Sequence, residues 1–317
     1  MKKVLITGAL GQIGSELTME MRKRYGNDNV IASGLNKTDS KVVETGPFEI
    51  VDITNRKQIE DAVKKHNVNW IVNLAAILSA VGEDKPGLAW EVNMGGLFNI
   101  LEVAREYNCG VFTPSSIAAF GPSTPKDDTP QDTIQRPNTM YGVTKVSGEL
   151  LCDYYYEKYG VDTRGVRFPG LISHDTLPGG GTTDYAVHIY YDALKKGEFT
   201  CPLDKDTFMD MMYMPDAVNA IITLMEADPS KLKHRNAFNV TAMSFNPEEI
   251  FNEIKKDIPN FEMDYDVNPT LQKIANSWPN SLDDSAAREE WGWDPQFGLK
   301  EMTKDMLEKL REKLDIK

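Results

Sequence analysis

The sequence contains little cysteine. Its 317 residues include only Cys109, Cys152 and Cys201, which are odd in number and widely spaced, with no CxxC pair and no histidine nearby at the spacing of metal ligands. These absences argue against a disulfide framework and against a metal site. Three reduced thiols are typical of a protein that works in the cytosol.

Long hydrophobic runs are missing as well. The basic opening Met1-Lys2-Lys3 is followed by Val4-Leu5-Ile6, but this apolar run ends at Thr7-Gly8. It is shorter than the roughly 7 to 15 apolar residues of a signal peptide. No stretch approaches the roughly 20 apolar residues that a membrane-spanning helix needs. We therefore expect a cytoplasmic protein without a membrane partner.

Basic residues are fewer than acidic ones: the chain has 35 Lys and Arg and 48 Asp and Glu, for a formal net charge of −13. No block of Lys and Arg concentrates a positive field on one face, so nucleic acid is excluded as a partner. The pyrophosphate of a nucleotide cofactor is not excluded, since backbone N–H groups at a helix N-terminus bind it whatever the net charge. With 41% hydrophobic residues, the chain can bury one large core or two unequal ones.

Short apolar runs alternate with helix-length segments through the first half of the chain. Such alternation predicts an α/β fold with a doubly wound, Rossmann-type parallel sheet. A helix from Tyr141 to Tyr159 would end at Gly160. The predicted strands are Val4 to Thr7, Val30 to Ser33, Phe48 to Val51, Trp70 to Ala75, Val111 to Ser115 and Arg164 to Pro169.

After Pro169 the pattern is less regular. A stretch rich in glycine, Pro178 to Gly181, is followed by mixed helix and loop, and Lys300 to Leu314 predicts an amphipathic helix. We therefore divide the chain into a dinucleotide-binding domain over residues 1–172 and a substrate-binding and lid region over 173–317. A short strand near 237–241 is expected to return to the main sheet.

Three glycines follow the first predicted strand and begin the first predicted helix. Gly8, Gly11 and Gly14 form GxxGxxG, which permits a tight turn and lets a phosphate approach the backbone at the positive end of a helix dipole. A turn that is merely tight would need the same glycines. Their position directly after the first strand favours the dinucleotide site.

An acidic residue at the end of the second strand usually holds the adenosine ribose of NAD. Here Ala32 to Lys37 contains no carboxylate, so Asn36 or Ser33 would have to bond the ribose 2′-hydroxyl. No arginine is present to bind the 2′-phosphate of NADP, and we expect NAD. Asp52-Ile53, after the third strand, would contact the adenine; capping of a helix is the alternative role for Asp52.

Tyr141 and Lys145 lie four residues apart, on one face of a predicted helix. An ammonium beside a phenol stabilises the phenolate, which can take a proton from an alcohol as its hydride leaves. Ser116, 25 residues before the tyrosine, follows a predicted strand and can orient the substrate oxygen. A chance surface pair and a serine that only caps the strand are the alternatives.

With these motifs in place, the sequence resembles the extended short-chain dehydrogenase/reductase family over nearly its whole length. Within that family it looks like the epimerase-like L-threonine 3-dehydrogenases. The segments that carry the resemblance are Leu74 to Ala80, Pro114 to Pro122, Arg167 to Ile172, Gly179 to Ala186 and Asn276 to Arg288. Gly34 departs from the family, whose members usually place an aspartate at the end of that strand.

The resemblance implies oxidation of the β-hydroxyl of L-threonine to 2-amino-3-oxobutanoate with reduction of NAD. Tyr141 would be the general base, Lys145 would bind the nicotinamide ribose, and Ser116 would hold the substrate oxygen. It also implies a homodimer through helices near Leu88 to Tyr107 and Tyr141 to Tyr159. Its cofactor-binding residues would be Gly8, Gly11, Gln12, Ile13, Gly14, Asn36, Asp52, Ile53, Leu74, Ala75, Ala76, Asn93, Tyr141, Lys145, Pro169 and Leu171.

Substrate recognition is also implied by the resemblance. The substrate-binding residues would be Ser79, Ser115, Ser116, Tyr141, Gly181, Thr183 and Trp278. A zwitterion needs several placed polar groups and a lid that excludes water, which fits this set. A helix cap at Thr183 and a plain core position for Trp278 are the alternatives.

Two other functions share these motifs. A nucleotide-sugar epimerase or dehydratase uses the same glycine turn, serine and Tyr/Lys pair, but it needs basic and aromatic residues for a second nucleotide, and Leu171 to Leu203 is poor in them. A nucleotide sensor without turnover has the same fold. It has no use for Ser116, Tyr141 and Lys145 together.

Overall fold

The computed structural model describes residues 2–316 and contains a central parallel sheet. Six strands form it in the order β3-β2-β1-β4-β5-β7, with every neighbouring pair parallel. The predicted doubly wound sheet is therefore confirmed. These strands are β1 Val4–Thr7, β2 Val30–Gly34, β3 Phe48–Ile50, β4 Trp70–Asn73, β5 Gly110–Phe112 and β7 Thr163–Arg164.

Helices cover both faces of this sheet. Alternate residues of its strands point to opposite sides, and apolar residues on both sides need to be buried. Val4 and Ile6 of β1 belong to one apolar core, and Leu5 between them belongs to another. The first core is formed with α1 Gln12–Tyr25 and α9 Met214–Glu226. The second is formed with α3 Arg56–His66, α6 Leu97–Tyr107 and α7 Met140–Tyr159.

The site is positioned where β1 and β4 lie side by side. The chain fills the sheet outward from β1 to β3 and then returns to the other side of β1 with β4. At such a reversal the crevice at the carboxyl ends of the strands is open to a ligand. Thr7, at the end of β1, donates a 2.8 Å hydrogen bond to Asn73 at the end of β4, so the two strand ends are held together.

Two of the predicted strands are interrupted. The run predicted over 111–115 becomes β5 and, after Pro114, the short β6 Ser115–Ser116. The run predicted over 164–169 is divided at Gly165 into β7 and β8 Val166–Phe168. A Cβ on Gly165 would lie 2.4 Å from the Thr113 carbonyl oxygen, so the close approach of two backbones requires glycine there.

Shorter sheets are present besides the main one. The strand expected near 237–241 is β12 Phe238–Asn239, which pairs in parallel with β8. β11 Met209–Tyr213 pairs with β9 Gly170–Ile172 and β13 Met243–Phe245, and β10 Glu198–Cys201 pairs with β14 Glu262–Tyr265. The domain boundary at residue 172 stays a prediction.

The C-terminal part has its own apolar core. The helix predicted from Lys300 is α13 Leu299–Leu314, which buries Met302, Met306 and Leu310. No helix within residues 2–316 is long and apolar enough to cross a membrane. The remaining helices are α2 Lys41–Glu44, α4 Ser79–Asp84, α5 Pro86–Trp90, α8 Tyr185–Lys195, α10 Pro247–Asp257, α11 Pro269–Ala275 and α12 Ser285–Trp291.

Candidate active site

The glycine turn forms an open cradle at the N-terminus of α1. Gly8 has a positive φ of 69°, and a Cβ there would lie 2.7 Å from the Ala75 nitrogen. A Cβ on Gly14 would lie 2.3 Å from the Gly8 carbonyl oxygen. No side chain caps α1 at Gly11, so the first N–H groups of the helix face outward. This geometry suits a pyrophosphate.

A cavity of about 290 Å³ opens beside this cradle. It brings together most residues that the sequence assigns to the cofactor and the substrate. The predicted residues that line it are Gly8, Gly11, Gln12, Ile13, Gly14, Leu74, Ala76, Ser79, Ser115, Ser116, Tyr141, Lys145, Pro169, Leu171, Gly181, Thr183 and Trp278. Ala75 and Asn93 line a smaller adjoining cavity of about 40 Å³ together with Lys145.

Tyr141 and Lys145 both face the cavity from the first turns of α7. Thr139 caps this helix, its hydroxyl accepting a 3.1 Å hydrogen bond from the Gly142 N–H. The Lys145 ammonium lies 5.3 Å from the centre of the Tyr141 ring and donates a 2.7 Å hydrogen bond to the Pro114 carbonyl oxygen. The predicted pairing of phenol and ammonium is present in the structure.

The two adjacent serines have different surroundings. Ser116 Oγ accepts a 3.2 Å hydrogen bond from the Ala118 N–H, and its hydroxyl hydrogen is available to a ligand. Ser115 is buried and donates its hydroxyl to Glu149. Arg167 donates to both oxygens of the same carboxylate, at 3.1 and 2.9 Å. The Ser115 hydroxyl is thus bonded inside the protein, although the residue also lines the cavity. Its role in substrate binding stays a prediction.

Asn93 is fully used inside the protein. Its side-chain oxygen accepts from the Ile77 N–H at 2.8 Å, and its nitrogen donates to the Ile77 carbonyl at 3.0 Å and to the Thr144 hydroxyl at 3.1 Å. The residue lies in a π-helical turn, Glu91–Gly96. It ties the segment after β4 to α7 and also lines the smaller cavity. Its contact with the cofactor stays a prediction.

The expected adenosine end of the site lies outside the cavity. Ser33 is fully buried and donates to the Ile6 carbonyl, which removes it as a ribose ligand, whereas Asn36 is exposed. Asp52 uses one oxygen to accept from the Thr54 N–H and hydroxyl. The helix cap of α3 is Asn55 instead. Ile53 is buried, 4% exposed.

The far wall of the cavity comes from the segment before α8 and from Trp278, which is buried. Thr183 packs on Gly170, where a Cβ would lie 2.6 Å from the threonine methyl carbon. Thr182 and Asp184 line the same wall, although the sequence did not identify either as a site residue. A lone carboxylate beside a run of glycines was the signal that could have identified Asp184.

Comparison with known proteins agrees with this geometry. The model of the NAD dependent epimerase/dehydratase family matches residues 4–241. An uncharacterized epimerase/dehydratase of Staphylococcus saprophyticus is 57% identical over 320 residues, which cover 100% of both chains. These matches span the glycine turn, α7 and the segment before α8.

Solved structures are similar over the same length. The L-threonine dehydrogenase of Clostridium difficile is 62% identical, with a TM-score of 0.97 over 99% of this chain and 98% of that one. That of Phytophthora infestans is 49% identical, with a TM-score of 0.95 over 98% and 100%. A monomeric L-threonine 3-dehydrogenase from a metagenome is 44% identical, with a TM-score of 0.93 over 98% and 99%.

Proposed function

The chain belongs to the NAD dependent epimerase/dehydratase family, and we propose that it oxidises the β-hydroxyl of L-threonine to 2-amino-3-oxobutanoate with NAD as cofactor. The observation that carries the proposal is the 62% identity, over 99% of the chain, to the L-threonine dehydrogenase of Clostridium difficile. The arrangement of Ser116, Tyr141 and Lys145 around one cavity supports it from chemistry.

The residues around the cradle fit a dinucleotide. The Gly8 turn leaves no room for a side chain between β1 and β4, and the uncapped start of α1 offers backbone N–H donors to a pyrophosphate. Lys145 would hold the nicotinamide ribose. When bound, NAD supplies the hydride acceptor.

Three side chains would perform the protein's share of the reaction. Ser116 donates its hydroxyl hydrogen to the substrate oxygen and orients it. Tyr141, as phenolate, takes the hydroxyl proton as the C3 hydrogen leaves with its electron pair. The Lys145 ammonium stabilises that phenolate, and its bond to the Pro114 carbonyl fixes where the charge lies. One hydride and one proton leave the alcohol, which gives the ketone.

The cavity suits a small substrate better than a nucleotide sugar. Lys145 is the only cation among the described residues that line it, and its place is beside the tyrosine. A second pyrophosphate would have no positive side chain to bind it. The lining also includes the apolar side chains of Leu78, Ile117, Phe168 and Leu171.

The test is the absorbance of NADH formed by purified protein with L-threonine, its stereoisomers, L-serine and UDP-sugars. We expect turnover with L-threonine and none with UDP-sugars. Turnover of a UDP-sugar without use of L-threonine would assign the protein to the epimerase branch. Binding of NAD without reduction by any amino or hydroxy acid would make it a sensor.

We also propose that the protein forms a homodimer through α5, α6 and α7. α7 contacts both α5 and α6, and these helices expose large apolar side chains: Leu88, Trp90, Phe98, Val143, Leu150 and Tyr154, each 38 to 63% exposed. A two-fold axis would bury this surface against its own copy. The cytoplasm, where the three free cysteines stay reduced, is the proposed location.

Light scattering after size-exclusion chromatography tests the dimer. We expect Leu150→Asp to convert a dimer into a monomer, whereas Phe208→Asp, on an exposed residue elsewhere, should not. A monomeric wild-type protein, like the metagenomic relative, would contradict the proposal.

A further inference from the structure

Asp184 brings a negative charge to the wall of the active-site cavity. It immediately precedes α8, and the described residues that line the cavity include no other carboxylate. The remaining ionisable groups there are Tyr141 and Lys145, which the proposed chemistry already uses. The reaction at C3 itself gives Asp184 no task, since it needs only a base, a hydroxyl donor and a hydride acceptor.

The two oxygens of this carboxylate have different partners. Oδ2 accepts hydrogen bonds from the N–H groups of Gly180 and Gly181, at 2.9 and 2.7 Å. Oδ1 has no hydrogen-bond donor within residues 2–316, and no Lys, Arg or His there forms an ion pair with the group. A Cβ on Gly181 would lie 2.9 Å from Oδ1, so this oxygen lies directly beside the Gly181 backbone.

The environment makes an unpaired charge at this position costly. Burial raises the pKa of Asp184, and the two glycine N–H groups and the nearby His188 only partly oppose that shift. A cation that entered the cavity would supply the missing counter-charge and stabilise the carboxylate. Among residues 2–316 only His188 acts on this carboxylate as a cation, and it is exposed and forms no ion pair with it. An α-amino acid carries a cation of its own.

We propose that Asp184 Oδ1 binds the α-ammonium group of the substrate and so selects amino alcohols over hydroxy acids. This inference deepens the proposed function and rests on it. The ammonium stands on C2, next to the carbon whose hydroxyl meets Ser116 and Tyr141, so one bound molecule spans from the catalytic helix to the segment before α8. The Asp184 carboxylate would then contact the substrate through Oδ1 and the glycine segment 179–181 through Oδ2.

Asp184→Asn is the discriminating variant. An asparagine oxygen still accepts from Gly180 and Gly181, so the local fold is kept while the charge is lost. The readout is calorimetric binding of 2-aminobutanoate and of butanoate to the protein–NADH complex. These molecules differ only in the ammonium, and neither needs turnover. Steady-state kinetics with L-threonine and 3-hydroxybutanoate provide a second readout.

We expect Asp184→Asn to weaken 2-aminobutanoate about 10-fold to 100-fold, the range of a charge-assisted bond, and to leave butanoate within twofold. The KM for L-threonine should rise by a similar factor, with kcat/KM for 3-hydroxybutanoate unchanged. Asp192→Asn, on the same helix but paired with Lys196 at the surface, is the matched control and should change neither ligand.

Equal loss for both ligands would mean that Asp184 only supports the glycine segment, and would overturn the inference. Unchanged binding of 2-aminobutanoate would overturn it as well. If the wild-type protein binds 2-aminobutanoate through Asp184 but never oxidises L-threonine, the proposed reaction fails while the ammonium site stands.

Discussion

Lys145 and Tyr141 are held at a fixed separation by a third group. The ammonium lies 5.3 Å from the phenol ring centre and is tied by a 2.7 Å hydrogen bond to the Pro114 carbonyl, between β5 and β6. The charge therefore stays beside the tyrosine instead of swinging into solvent. Because the same segment carries Ser116, one short link sets the positions of all three proposed catalytic side chains.

Replacement of Tyr141 by phenylalanine removes the general base while keeping the ring. We expect kcat to fall by about 10²-fold to 10⁴-fold, the usual contribution of general acid–base catalysis, with NAD affinity within about twofold. Tyr154→Phe, on the exposed side of the same helix, is the control. Turnover close to wild type in Tyr141→Phe would disprove the assignment.

The neighbouring serines allow a matched test. Ser116→Ala should lower kcat/KM by about 10-fold to 100-fold, because it removes a bond made to the substrate. Its melting temperature should fall only slightly, since the side chain also accepts one hydrogen bond from the Ala118 N–H. Ser115→Ala should instead destabilise the fold by about 1 to 3 kcal/mol, since its hydroxyl serves buried Glu149. The kcat/KM of Ser115→Ala should stay within a few-fold. If Ser115→Ala instead lowered kcat/KM and Ser116→Ala instead destabilised the fold, Ser115 would be the serine that contacts the substrate.

Local signals explain what the sequence predicted well. The glycines of the cradle, the Tyr141/Lys145 spacing and the first strands depend on residues near one another in the chain, and the structure has them where the pattern placed them. The role of Ser115 depends on Glu149, 34 residues away, and no local pattern reports that bond. Asp184 was not predicted from the sequence, because only the three-dimensional structure shows that it lines the cavity and that one of its oxygens has no donor.

The second strand shows the same limit. Its lack of a carboxylate was evident, but Ser33 remained a candidate ribose ligand because alternation along a strand cannot say which neighbour a hydroxyl meets. In the fold that hydroxyl is bonded to the Ile6 carbonyl of β1. Asn36 is left as the exposed polar residue beside the end of β2.

Gly34→Asp should strengthen NAD selectivity. A Cβ on Gly34 would meet only ordinary contacts, 3.5 Å from Leu10 and 3.6 Å from Phe48, so the side chain fits. Its carboxylate would accept from the ribose 2′-hydroxyl and repel a 2′-phosphate. We expect the ratio of kcat/KM for NAD⁺ to that for NADP⁺ to rise about 10-fold or more. An unchanged ratio would mean that the adenosine ribose does not bind at this strand end. Asn36→Asp, which adds a carboxylate two residues further along, is the comparison variant.

Glu16 on α1 is joined to the chain beyond β9, on the route to the glycine segment. Ser173 donates its hydroxyl to the Glu16 carboxylate, and Thr176 shares a 3.2 Å hydrogen bond with Ser15. Burial raises the pKa of Glu16 to about 7; Asp175 acts in the same direction, and the Ser173 bond and Lys313 oppose it. The group therefore changes its charge near neutral pH.

The sign of its effect on stability follows from linkage. The pKa of Glu16 is higher in the folded state than the ordinary 4.5, so the folded protein favours the protonated carboxyl. The contribution of Glu16 to the unfolding free energy is therefore complete below about pH 4.5 and is lost as the pH rises through 7. Glu16→Gln keeps an acceptor for Ser173 and cannot ionise. Its unfolding free energy relative to wild type should rise between pH 5 and pH 8.5, by at most about 3 kcal/mol. The measurement is thermal unfolding across that pH range. The control is Glu20→Gln, whose side chain is exposed on the same helix, and its unfolding free energy relative to wild type should not change with pH. If the difference between Glu16→Gln and wild type does not change with pH either, the Glu16 carboxylate is exposed to water.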